Sequence, residues 1–181
     1  LARDQVALVA RVQTEIDQLG VETDGRGWRT KVFLYCVEAR CPQSGWMVPM
    51  LPSRVLSRGY RVVAELIPDP LRKRYDVQIR SGATDSEMEA AETGTIGRDG
   101  KYGDAYLIHR MVDTDYKTKI TTLRGDYEKP DGTIENRLRH WGKSDFMPRM
   151  DDLLQERLYC VQWMRPKKNA KGDEYEFRSV T

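Results

Sequence analysis

The stretch YCVEARCPQSGWMVP, residues 35–49, decides how the rest of the chain is read. Cys36 and Cys41 stand beside Pro42, Gly45 and Trp46, the surroundings of half a zinc ribbon. Structural zinc takes four Cys or His ligands that arrive as two close pairs. Here the spacing is C-x4-C, Ser44 fills the place three after Cys41 where a knuckle has its second thiolate, and the third cysteine is far away at Cys160. No returning knuckle follows, because GKYGDAYL (100–107) stands where one is needed. The ligand set is short, so zinc is not expected and the cysteines read as small buried apolar residues. What remains is a strand and a turn, a degenerate zinc-ribbon-like insert held by packing in place of a metal.

Working outward, strand grammar dominates. TKVFLYCV (30–37), RVVAELIP (61–68) and YDVQIR (75–80) are rich in β-branched and aromatic residues. WMVPML (46–51) is short and carries Pro49, which suits an edge or a strand end. Residues 81–93 have loop or short-helix character. Asp99-Gly100 marks a tight turn, and AYLIHRMV (105–112) with YKTKITTL (116–123) flank the turn DTD as a hairpin. On the N-terminal side, residues 3–19 place Val6, Val9, Val12, Ile16 and Leu19 at helical spacing, with Gly20 as a stop. PRMDDLLQE (148–156) suits a short helix with its proline in the first turn. RLYCVQWM (157–164) and EYEFRSV (174–180) close the chain as two strands. The fold class expected is α+β: mostly antiparallel sheet and hairpins, an N-terminal amphipathic helix and a short helix near residue 150.

The chain has 181 residues, 39% hydrophobic and 32% charged, the size of one domain with a heavily charged surface. One domain over 1–181 is expected, with a helix over 1–20, a β-rich insert over 30–123, and the second helix with its hairpin over 148–181. No apolar run approaches the roughly 20 residues of a membrane span. Three cysteines do not make a secreted disulfide framework, so a cytoplasmic location is expected. The chain starts at Leu1 in a helical pattern, which suggests a fragment of a larger protein.

Chemistry is sparse. His109 and His140 lie in separate segments without a carboxylate or nucleophile at a telling spacing. The glycines of GTIGRDG (94–100) lack the lysine and hydroxyl of a phosphate loop. No catalytic constellation emerges, so the chain alone is not expected to be an enzyme. A net charge of +2 is small, but it is unevenly spread: residues 52–80 hold seven basic and three acidic side chains, residues 81–105 two and six. Two basic clusters, Arg72, Lys73 and Arg74, then Arg165, Lys167, Lys168 and Lys171, lie near aromatic residues and are the candidate nucleic-acid contacts. The alternative is that both are solvated turns.

A resemblance adds to this. YCVEARCPQSGWMVPMLPSRV (35–55), VAELIPDPLRKRYDVQI (63–79), GTIGRDGK (94–101) and FMPRMDDLLQERLYCVQWMRPKK (146–168) resemble the central insert of bacterial adenine-specific DNA methyltransferases of anti-phage and restriction islands. Those enzymes carry an N-terminal domain of unknown function. The resemblance implies a parent enzyme that transfers a methyl group from S-adenosylmethionine to adenine in DNA, with DNA and the rest of the parent as partners. The family's Gly-rich cofactor element and its Pro-Pro-aromatic motif are both absent, since IPDPLRKRY (67–75) has only Asp69-Pro70. No catalytic or cofactor-binding residue carries over. Ser44 departs from the family's knuckle. Two roles stay open: a non-catalytic insert that assists DNA binding or target recognition, or an interaction domain that packs on the parent enzyme or a defence-system partner without touching DNA. An apolar patch left exposed on the first helix would favour the second.

Overall fold

In the computed structural model, the backbone is described for residues 2–101, 103–169 and 172–180. The elements are α1 (Ala2–Leu19), β1 (Arg29–Arg40), β2 (Met47–Pro49), β3 (Val55–Ser57), β4 (Val62–Asp69), β5 (Arg74–Arg80), α2 (Asp85–Glu92), β6 (Ile96–Arg98), β7 (Ala105–Arg110), β8 (Asp115–Lys119), α3 (Ile120–Arg124), β9 (Tyr127–Glu128), β10 (Ile134–Glu135), β11 (Leu154–Asn169) and β12 (Gly172–Val180). This is the expected α+β class, with mostly antiparallel pairing; a parallel contact joins β2 to β5 at Met47 and Arg74. Where one domain was expected, contacts divide the chain into two units: residues 1–34 with 160–180, and residues 35–159. β1 and β11 each contribute to both.

The larger unit orders its main sheet β1-β2-β5-β4-β3, beside a three-stranded sheet β6-β7-β8 and the small β9-β10 hairpin. The turn after β1 is closed by bonds from the Cys41 N–H to the Trp46 carbonyl and from the Gly45 N–H to the Cys41 carbonyl, both 2.8 Å. It delivers Trp46 and Val48 into a core with Ala39, Cys41, Tyr75, Leu107 and Leu123. Removing large apolar side chains such as these from water contributes about 1.5–3 kcal/mol each. A second cluster, Val63, Ala83 and Ala91, lies under α2, whose N-terminus carries a capping box between Thr84 and Glu87.

Two local expectations change. The strand expected over 116–123 stops at Lys119, and Ile120–Arg124 form α3. Gly125 takes the left-handed conformation at its end (φ 67°, ψ 41°) and donates to the Thr121 and Thr122 carbonyls, while Leu123 reaches the core. The helix expected near residue 150 is absent: residues 148–153 are irregular, with a turn at Met150–Asp151, and β11 begins at Leu154. The acids there serve other bonds. Asp152 accepts both Arg139 nitrogens at 2.7 Å and the Arg149 N–H at 2.8 Å, and Gln155 donates to the Arg149 and Asp152 carbonyls. Those bonds hold the segment out of helical shape.

The smaller unit consists of α1, a nine-residue turn region and a sheet ordered β12-β11-β1. β11 and β12 pair from Val161 opposite Val180 to Asn169 opposite Gly172. Asp24 organises the turn by accepting the N–H groups of Arg26 and Trp28, and Arg178 donates to it at 2.7 Å. Burial pushes the Asp24 pKa up, but these hydrogen bonds outweigh it and hold the carboxyl below its ordinary value. Trp28 is buried between two guanidinium groups, Arg165 at 4.7 Å and Arg178 at 4.5 Å from its ring centre.

Candidate functional site

The turn with the opening motif meets the β7–β8 hairpin through hydrogen bonds between side chains. Ser44 Oγ and His109 Nδ1 are 2.8 Å apart. Gln43 Oε1 accepts from Thr118 Oγ1 at 2.8 Å and from Cys41 Sγ at 3.2 Å. His109 and Thr118 lie on one face of the hairpin, because His109 stands opposite Tyr116, two residues from Thr118. Around the imidazole, Trp46 is 5.3 Å away and Tyr75 meets it edge-on at 5.7 Å, centre to centre. Whichever group donates in that bond, Nε2 is buried without a partner among the described residues. Burial pushes the His109 pKa down, with only a weak opposing pull from Asp115.

The chemistry of this donor set does not suit zinc. Among the described residues no group of three or more His, Cys, Asp or Glu side chains is placed to hold a metal ion. Ser44, a weak neutral oxygen donor toward zinc, stands where a knuckle has its second thiolate. Sequence reasoning treated His109 as an isolated strand residue and missed its bond to Ser44. Two positions 65 apart carry no shared local signal. Nor does the imidazole face a cavity where a substrate could meet it, since His109 is 1% exposed.

Two of the three buried thiols are held in the protonated form. Burial, reinforced by the Glu38 charge, pushes Cys36 up to about 11, and burial raises Cys160 as well.

Among the basic residues singled out from the sequence, the arginines are engaged with acids. Arg72 pairs with Asp69 and with Asp76. Arg74 donates to Glu38 at 3.0 Å, and Arg165 pairs with Glu176 at 2.7 Å. Lys73 is exposed at a turn with φ of 48°. Lys167 is exposed on β11, opposite Glu174 in the ladder. The Lys168 side chain and all of Lys171 lie outside the described residues. Glu38 is the hub of a network that sequence reasoning did not find. It is 3% exposed, and its two oxygens accept from Arg74 and from Arg157 at 2.9 Å. It lines a cleft of about 520 Å³ with Arg40, Met47, Asp151 and Glu156, and each of its oxygens already accepts a guanidinium donor.

The surface without partners is apolar. On α1, Val6, Val9, Val12 and Leu19 of the expected stripe are 71, 63, 45 and 73% exposed, with Leu8 beside them exposed and Ile16 half-buried, so most of the stripe that should bury a helix face remains in water. On β1, Phe33, Tyr35 and Val37 are exposed at alternate positions, and in the smaller unit Tyr175 of β12 is also exposed. No helix among the described residues is long and apolar enough to cross a membrane.

Comparison with known protein families, with curated proteins and with solved structures found no match.

Proposed function

We propose that this chain is a non-catalytic accessory domain of an S-adenosylmethionine-dependent, adenine-specific DNA methyltransferase, attached to the rest of that enzyme through the apolar stripe of α1. The parentage rests on the resemblance of residues 35–55, 63–79, 94–101 and 146–168. The docking role rests on one observation, the exposure of Val6, Leu8, Val9, Val12 and Leu19 along one helix. Burying such a stripe supplies the driving force for association, and a helix laid on an apolar surface is a common way to use it. The ion pairs that occupy Arg72, Arg74 and Arg165 favour this over the reading in which the sequence-predicted basic clusters hold DNA.

The test is co-purification of the chain with the catalytic domain of such a methyltransferase from the same genome. Co-elution is expected, and it should be lost in the double variant Val9→Glu, Val12→Glu. The isolated chain should neither transfer methyl groups nor bind S-adenosylmethionine. Co-elution that the double variant leaves intact would sink the docking role.

A further inference from the structure

We propose that the cleft between β7 and the C-terminal end of α2 is a phosphate-binding site whose cationic walls are Arg54 and Arg110. The cleft has a volume of about 350 Å³, and Leu66, Tyr75, Thr93 and Ile108 contribute to its lining. No carboxylate is among its lining residues. In this unit Arg58, Arg61, Arg72, Arg74, Arg80 and Arg157 each lie within 3.0 Å of a carboxylate oxygen. Arg54 has no such partner among the described residues, and the nearest for Arg110 is Asp115 at 3.9 Å.

Backbone carbonyls hold both side chains instead. Arg54 donates through Nε to Thr93 at 3.0 Å and through Nη2 to Ala90 at 2.6 Å. Arg110 donates through Nη1 to Gly94 at 3.0 Å. The segment they grip is itself fixed. A side chain at Gly94 would strike the Leu51 carbonyl at 1.8 Å, and Ile108 N–H bonds Thr95 O at 2.7 Å. Carbonyl bonds orient a guanidinium without neutralising it, and each group keeps further N–H donors for a ligand. Two guanidiniums fixed on one cleft, Arg54 without a carboxylate partner among the described residues and Arg110 paired only at 3.9 Å with Asp115, suit an anion with several oxygens. The apolar floor of Leu66 and Ile108 with the Tyr75 ring gives room for the organic part of a phosphate ester beside its anion. A free nucleotide and a nucleic-acid strand both present such a phosphate ester; the recognition chemistry is the same. The site stands independently of the parentage and of the α1 docking surface.

The experiment titrates isotope-labelled protein at constant ionic strength with inorganic phosphate, adenosine monophosphate, adenosine and a short DNA duplex, following magnetic resonance shifts. Phosphate and the monophosphate should move the amides of Thr93–Thr95 and the Nε–H signals of Arg54 and Arg110, while adenosine should not. Arg110→Gln should weaken the monophosphate about tenfold or more. Arg54→Gln also releases the Ala90 and Thr93 carbonyls. Arg54→Lys and a thermal melt of every variant therefore separate lost binding from lost folding. Duplex competing at the same signals assigns the phosphate to a strand; the monophosphate alone assigns it to free nucleotide. Silence at these signals with every phosphate probe overturns the site. So does adenosine binding as tightly as its monophosphate, or undiminished binding by folded Arg110→Gln.

Discussion

In the larger unit Glu38 is enclosed by Arg74 and Arg157, and Trp46, Val48 and Leu107 are sealed in a core. In the smaller unit the helix shows Val9 and Val12 to water, and the buried tryptophan, Trp28, is wrapped by arginines. The contrast separates two uses of apolar residues. In one they hold the chain together; in the other they are presented to the outside. The same residue types serve both, so only burial distinguishes them.

The contrast breaks first if the core is not what holds the larger unit. Trp46→Ala should cost about 3–5 kcal/mol in chemical denaturation, because it empties the centre of the cluster around His109 and Tyr75. Next, Glu38→Ala should cost about 3 kcal/mol, the lower end of the range for breaking a buried pair because Arg74 is partly exposed. Glu38→Gln should cost less, since it keeps hydrogen-bond acceptance toward one guanidinium.

Ser44→Ala should cost about 1–2 kcal/mol by leaving His109 Nδ1 without its partner as well. The pH dependence follows from the lowered His109 pKa. The unfolded chain takes up the imidazole proton below about 6.5, whereas the folded chain does so only at lower pH. The stabilisation from the neutral ring is therefore present above about pH 6.5 and is lost as pH falls through the folded value. Denaturation midpoints across that window in wild type and His109→Gln should diverge. Parallel curves would mean that folding does not lower the His109 pKa.

The smallest effect is expected on the helix. Val9→Glu with Val12→Glu should change stability by no more than about 0.5 kcal/mol, because neither side chain is buried. A larger loss would mean that the stripe supports the fold, and the contrast between the units would fail.

Much of the fold was legible. The amphipathic stripe over 3–19, the β-branched runs that became β1, β4 and β5, and the Asp99-Gly100 turn announce themselves through local pattern. The helix expected near residue 150 failed because Arg139, more than ten residues away, takes Asp152 into ion pairs that local spacing cannot reveal. The candidate sites were less legible for the same reason. Ser44 and His109, Glu38 and Arg157, and Arg54 and Arg110 meet only through long-range pairing. By contrast, the sequence-visible clusters Arg72–Arg74 and Arg165 are largely engaged with neighbouring acids. The α1 stripe could be seen in the sequence; that it would stay uncovered could not.

The most direct test of the docking role is hydrogen exchange over residues 2–19, alone and with the methyltransferase catalytic domain. Fast exchange alone and strong protection in the mixture, abolished by Val9→Glu with Val12→Glu, is the expected result. Unchanged exchange on addition of the catalytic domain would contradict it.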